Sequence, residues 1–268
     1  MNFDRRCLAF FVLACAPVLL VAQTSTAPPQ APEWAQPGSA SHTQVAPPPD
    51  FHRATRNYPG RIGIFDGQAD VGGALVPGSA SFDAATGQYT VHSAGYNVWY
   101  TRDEFRFLYK KMSGDVSLAA DISFPNAGYG DRKGVLIIRQ SLDDDVKEAL
   151  VALHGGGMIQ LAQRPETDMR VKDTEFRIGG RGRPGGATPD SLVTVNAQRI
   201  GIEKHGDDFT LWVSVEGEPM HQFGPPIHLH LEGPFYVGIG FCSHLPTTVD
   251  AAVFSHVVMV NGGEGLRD

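Results

Sequence analysis

Cysteine is scarce in this chain, three residues in 268. A small scaffold held together by several disulfides is thereby excluded. Charge is thin as well: 19% of residues are Asp, Glu, Lys or Arg, and 22 basic residues face 29 acidic ones. No Lys/Arg block forms a stripe, which argues against a nucleic-acid partner, since that affinity rests on neutralising phosphates. The longest apolar run, Leu8–Ala22, has Pro17 inside it and falls short of the ~20 residues that a bilayer-spanning helix needs. G-x-S-x-G, H-E-x-x-H, a Walker loop and a Rossmann fingerprint are all missing.

What is present begins with an export signal. Arg5 and Arg6 precede the Leu8–Ala22 run, so residues 1–22 are read as a signal peptide and the chain as periplasmic or secreted. Val12-Leu13-Ala14-Cys15 loosely resembles a lipobox, but apolar residues continue past Cys15, so lipid anchoring there is not expected. Residues 23–54 are rich in Pro, Ala and Ser and are read as a disordered linker. Residues 55–262 are read as one domain, with no transmembrane helix in the mature chain. Cys242 is then its only thiol, expected to be buried and inert.

The domain consists of short alternating runs between turns. Gln88–Ser93, Glu104–Met112, Val116–Phe124, Val135–Ser141, Glu148–His154 and Met158–Gln163 are strand-like, as are Phe176–Ile178, Val193–Glu203, Asp208–Val215, Phe235–Ser243 and Ala251–Val260. None sustains a helical period. The pattern predicts an all-β protein, a β-sandwich or jelly roll. Gly155-Gly156-Gly157 reads as a hairpin turn and Gly179–Pro189 as an excursion at the sandwich edge. Alternation puts Phe105, Phe107 and Tyr109 on one face of their run. It turns Phe235, Val237, Ile239 and Phe241 to the core and leaves Tyr236, Gly238, Gly240, Cys242 and His244 on the other face. Two glycines between an aromatic residue and a histidine predict a roomy, polar-edged hollow on that sheet.

Several of these segments, GIFDGQADVGGALVPGSASFD, SAGYNVWYTRDEFRFLYKKMSGD, RKGVLIIRQSLD and FYVGIGFCSH, carry a resemblance. Together they resemble the concanavalin-A-like (laminin-G-like) jelly-roll modules related to regulation-of-enolase proteins. Such modules are found fused to secreted enzymes and Tol-type β-propeller proteins. The likeness runs from about Ile62 to Val260, and Trp99–Lys110 (W-x-x-x-D-x-F-x-F-x-Y-K) is its most distinctive part. It implies a lectin-like sandwich with a glycan, or another envelope or extracellular ligand, as partner. A protein partner of the Tol-propeller kind is the alternative.

Sugar recognition relies on flat rings with polar groups beside them. Trp99 and Tyr100, next to Asn97, Arg102 and Asp103, offer that mixture; the competing reading has Trp99 sealing the core. Arg139 ends an apolar strand and is either ion-paired or ligand-facing. Gln140, His154, Gln160 and His244 could join it on a polar face, with Trp212 as a second platform. The expected ligand-binding set is Trp99, Tyr100, Arg139, Gln140, Trp212 and His244. His228 and His230 have the spacing of metal ligands, and Asp143-Asp144-Asp145 with Glu148 offers oxygen ligands of the kind calcium prefers but lacks the spaced D-x-D-x-D-G of a calcium loop; the default for both is a solvated face. No cofactor is therefore expected, structural calcium being the one exception considered. Glu166–Val171 lacks the second Glu of a jelly-roll glucanase strand, and Glu216 and Glu218 sit at a turn. The chain is read as a non-catalytic glycan-binding module, with a jelly-roll hydrolase as the alternative.

Overall fold

Alternating runs become strands where one face finds a partner to bury against. Gln88–Ser93, Glu148–His154 and Asp208–Val215 do so with those same bounds. A computed structural model of the protein describes residues 52–176, 197–215, 217–262 and 265–266. The signal segment 1–22, the 23–51 part of the linker, the Gly179–Pro189 excursion and Glu216 lie outside those residues.

Two antiparallel sheets make the sandwich. One runs, in spatial order, β1 (Arg56–Tyr58), β2 (Gly67–Val71), β6 (Arg102–Met112), β15 (Phe235–Cys242), β8 (Lys133–Arg139), β9 (Glu148–His154), β10 (Ile159–Arg164) and β11 (Lys172–Phe176). A ninth strand, β5 (Asn97–Trp99), pairs only with β6. The other sheet runs β14 (His221–His228), β13 (Asp208–Val215), β12 (Ala197–His205), β7 (Val116–Ser123), β16 (Asp250–Asn261), β4 (Gln88–Ser93) and β3 (Ser79–Asp83). No helix occurs among the described residues. This is the all-β sandwich of jelly-roll type that the alternation predicts.

Five strands escape the sequence reading, each for a local reason, and a sixth, β11, shares only Phe176 with the expected Phe176–Ile178, residues 177–178 lying outside the described ones. β1 and β5 have three residues each, too few to show a period. β2 carries the buried Asp70, and β3 is small and polar. β14 contains Gly224, Pro225 and Pro226, which is tolerated because it is outermost and needs ladder bonds on one side only. Phe176 at the end of β11 meets Phe223 of β14 edge-on at 5.1 Å, joining the two sheets along that side. His52 and Arg53 bond to Asp144 and Glu104, so among the described residues contacts with the domain extend ahead of the boundary at 55.

The interior is filled as expected: Val237, Ile239 and Phe241 meet Leu118, Ile202 and Phe254 of the other sheet. The outer face of the nine-stranded sheet is apolar too, and it is covered. Phe105, Phe107, Val135, Ile137, Leu150 and Ala152 form a second cluster with no exposed surface. The cover is the β5–β6 hairpin, which folds back across β8–β10. Val98 of the hairpin belongs to that cluster, Asn97 and Asp103 bond to side chains of β8 and β10, and the Tyr100 carbonyl accepts the Val171 N–H at 2.8 Å. Strands buried on both faces read as continuous apolar runs, as Val135–Ile138 and Ala149–Leu153 do.

The hollow inferred at Gly238 and Gly240 is a correction: it is filled by this chain's own rings. A Cβ on Gly240 would lie 2.6 Å from the Phe105 ring. One on Gly238 would overlap the Leu108 carbonyl oxygen and come within 2.9 Å of Phe107. The missing side chains let the rings settle on the strand backbone. Gly238→Ala is accordingly expected to cost about 3 kcal/mol, because the Leu108 backbone must move, and Gly240→Ala about 2 kcal/mol, because its backbone contact, the Arg106 carbonyl oxygen at 2.9 Å, is the milder one. Urea midpoints check this, and equal, near-wild-type midpoints would show that the rings are not seated on these glycines.

Candidate functional site

Beneath the hairpin lie four ionisable side chains, and the fold brings them together from four strands. Asp103 comes from β6, Arg139 from β8, Glu148 from β9 and Arg164 from β10; each side chain is 0% exposed. Arg164 reaches both Asp103 oxygens at 2.6 and 3.0 Å, and Arg139 donates to Asp103 Oδ2 at 2.8 Å. Glu148 lies 3.1 Å from Arg164 and 3.3 Å from Arg139, without well-aligned hydrogen bonds to either. Burial alone would raise the Asp103 carboxyl, but Arg164 and then Arg139 hold it below the usual range. Glu148 goes the other way: burial, reinforced by the Asp103 charge, pushes it up to about 8. These groups can clamp the hairpin to the sheet. They offer no solvent-reachable acid or base.

A second group lies where the hairpin meets the start of β8. Lys133 is buried, donates to Asn97 Oδ1 at 2.6 Å, and places its ammonium 5.0 Å from the partly exposed Trp99 ring. Burial lowers its pKa, while Cys242, Asp131 and Asp173 pull it back up. Gln160 donates to Asp173 Oδ2 at 3.0 Å and its Oε1 lies 3.3 Å from His154 Nε2; Asp131 stands 4.0 Å from the other nitrogen of that ring. The result is a half-exposed indole, a buried cation, and the carboxylates of Asp131 and Asp173 reaching toward water. Nearby, His244 stacks on Tyr129 at 5.2 Å and on Tyr96 at 5.7 Å.

The six residues expected to share one surface are distributed. Trp99 and Tyr100 form the hairpin tip, with Tyr100 at φ 55° and the Arg170 guanidinium 5.0 Å from its ring. Arg139 belongs to the buried quartet, which answers the alternative left open for it in favour of ion pairing. Gln140 is tied to the Glu232 backbone, donating to its carbonyl at 2.8 Å and accepting its N–H at 2.9 Å. His244 is fully buried in its tyrosine stack. Trp212 lies on the opposite sheet, packed with Ala119 and Leu266. Lys133, Arg164 and Asp173 were missed, while Asp103 and Glu148 were named without their part in the buried quartet. A charged residue at the end of an otherwise largely apolar strand was the available signal for Lys133, Glu148 and Arg164.

The remaining candidates have plainer partners. His228 pairs with Asp208 at 2.9 Å and His230 with Asp207 at 3.0 Å, so the two histidines do not act together. Cys242 is buried, and burial raises its thiol to about 11, leaving it protonated at neutral pH. The Gly155–Gly157 segment is the β9–β10 turn, closed by the His154 N–H on the Met158 carbonyl at 2.8 Å.

No protein-family model matches the chain, and no curated protein matches it. Among solved structures it is similar to a functionally unknown protein from Saccharomyces cerevisiae (16% identity, TM-score 0.49, 68% of this chain and 91% of that one). It is also similar to the carbohydrate-binding module CBM66 from Bacillus subtilis (14% identity, TM-score 0.44, 74% of this chain and 98% of that one). A third similar structure is the catalytic domain of a GH131 β-glucanase from Podospora anserina (13% identity, TM-score 0.40, 72% of this chain and 84% of that one).

Proposed function

We propose that this protein is an exported, non-catalytic glycan-binding module of the jelly-roll kind related to regulation-of-enolase proteins. Its ligand would sit at the hairpin tip and the start of β8. The observation that carries the reading is Trp99: a half-exposed indole beside a buried ammonium, with Asp131 and Asp173 at the rim. A pyranose needs one flat apolar surface and both donors and acceptors for its hydroxyls. Trp99 supplies the first, Lys133 and Asn97 the donors, and the two aspartates the acceptors. Opposite charges within the group favour a neutral sugar over a strongly acidic one. Arg139, Gln140 and Trp212 fall outside this site because of where they lie, and His244 is buried in its stack with Tyr96 and Tyr129.

The test is binding on a glycan array, followed by calorimetry on the best ligand. Trp99→Ala is expected to weaken binding roughly tenfold or more, about 1.4 kcal/mol. Asp173→Asn should weaken it less, and Trp212→Ala on the other sheet should leave it unchanged. Wild-type affinity in folded Trp99→Ala, or a loss that follows Trp212 instead, would sink the assignment.

A further inference from the structure

Three segments far apart in the chain converge beyond the end of β8. His52 precedes β1, Asp145 lies in the turn after β8, and Asp168 lies in the turn after β10. Each places one ligand atom within 4.8 Å of those of the other two. We propose that His52, Asp145 and Asp168 form a binding site for a divalent transition-metal ion, separate from the glycan site.

The residue types set the class of ion. One imidazole and two carboxylates are donors suited to Zn2+ or Mn2+, whereas Ca2+ takes six or more oxygens and has little use for imidazole. A neutral histidine and two carboxylates also balance a doubly charged ion. Three protein ligands leave further positions for water or a ligand group.

The surroundings favour metal over a chance meeting of polar groups. Asp144 is buried, and its Oδ1 lies 2.9 Å from His52 Nδ1. A carboxylate that fixes one ring nitrogen leaves the other, Nε2, as the basic donor, the outer-shell arrangement found around histidine metal ligands. Asp144 is itself positioned by the Arg53 N–H at 3.4 Å. The Asp168 N–H donates to the Asp145 carbonyl at 2.9 Å, which couples the backbones of the two ligand aspartates. The molecule supplies its own comparison. His205, His228, His230 and His256 each pair with an aspartate at 2.6–3.0 Å, yet among the described residues only the His52 group gathers three metal-ligating side chains.

A metal here would join the segment leading into β1 to two turns at the edge of the hairpin. The experiment uses the untagged full chain, stripped with EDTA and titrated by calorimetry with ZnCl2, MnCl2 and CaCl2 in turn. One Zn2+ or Mn2+ per chain is expected at micromolar affinity, with CaCl2 at least roughly tenfold weaker. His52→Ala and Asp168→Asn should each weaken binding by roughly tenfold or more, whereas His228→Ala should bind as wild type does. Co2+ loaded into the wild type should show a visible absorption band that His52→Ala lacks. Thermal unfolding in EDTA should be alike for all variants; if Asp168→Asn is destabilised, His52→Ala decides. The proposal is overturned if no ion binds more tightly than millimolar, or if His52→Ala and Asp168→Asn bind as well as the wild type.

Discussion

Asp103→Asn should unfold about 6–20 °C below the wild type at neutral pH. The substitution keeps the shape of the side chain and removes the one charge that both arginines address at 2.6–3.0 Å. Breaking a buried pair by deleting one partner costs about 3–5 kcal/mol, because the remaining charge stays desolvated. For a domain of this size each kcal/mol moves Tm by about 2–4 °C. The damage should be local first. Asp103 sits on the hairpin while Arg139 and Arg164 sit on the sheet, so hydrogen exchange should rise earliest at Asn97–Glu104 and at the Val171 N–H. Replacing Asp103, Arg139, Glu148 and Arg164 together by apolar residues of similar size should recover most of the loss, since a well-packed apolar cluster often equals a buried ionic one. If Asp103→Asn melts within a degree or two of the wild type, the quartet does not hold the hairpin down.

The second large effect is a pH dependence. Glu148 has a folded pKa pushed up to about 8 against an ordinary 4.5, so between those values the folded state holds a proton that the unfolded state has released. Stability therefore falls as pH rises through that window, by at most ~1.4 kcal/mol per pH unit from this group. Asp103 works in the opposite direction, its contribution being present above about 3.8 and lost in acid. Together they place the stability maximum on the acid side of neutrality. Glu148→Gln mimics the protonated carboxyl, so it should match the wild type near pH 5 and exceed it near pH 8, flattening the slope. Chemical denaturation at pH 5, 6.5 and 8 reads this directly. A Glu148→Gln protein as damaged at pH 5 as Asp103→Asn would show that Glu148 is ionised when folded, and the expectation would be wrong.

Much of the architecture was legible because period-two patterning carries its own direction. Once Val237, Ile239 and Phe241 were assigned to one face, the interior followed, and the structure agrees. What alternation does not carry is which second segment will cover a sheet's other face. The uninterrupted apolar stretches in β8 and β9 hinted at a cover, yet nothing local identifies the hairpin as that cover. Gly238 and Gly240 look like vacant space until Phe105 and Phe107, about 130 residues earlier in the chain, are set upon them. Arg139 shows the same limit, since its partners come from other strands and were invisible in its own run. Trp99 was legible as a ring among polar neighbours, whereas the Lys133 beneath it required the hairpin to be folded first. Trp212 was misplaced relative to Trp99 because alternation assigns a side of a strand and not a sheet.

The two prolines of β14 have a further consequence, for behaviour in crowded solution. An outermost strand with free N–H and C=O groups is a template on which other chains can polymerise. Pro225 and Pro226 have no N–H to offer an incoming strand, and β11 on the neighbouring sheet presents Lys172, Asp173 and Glu175 to water. At high protein concentration the chains should therefore resist building fibrils through these two borders, and replacing both prolines with valine should shorten the lag before they do.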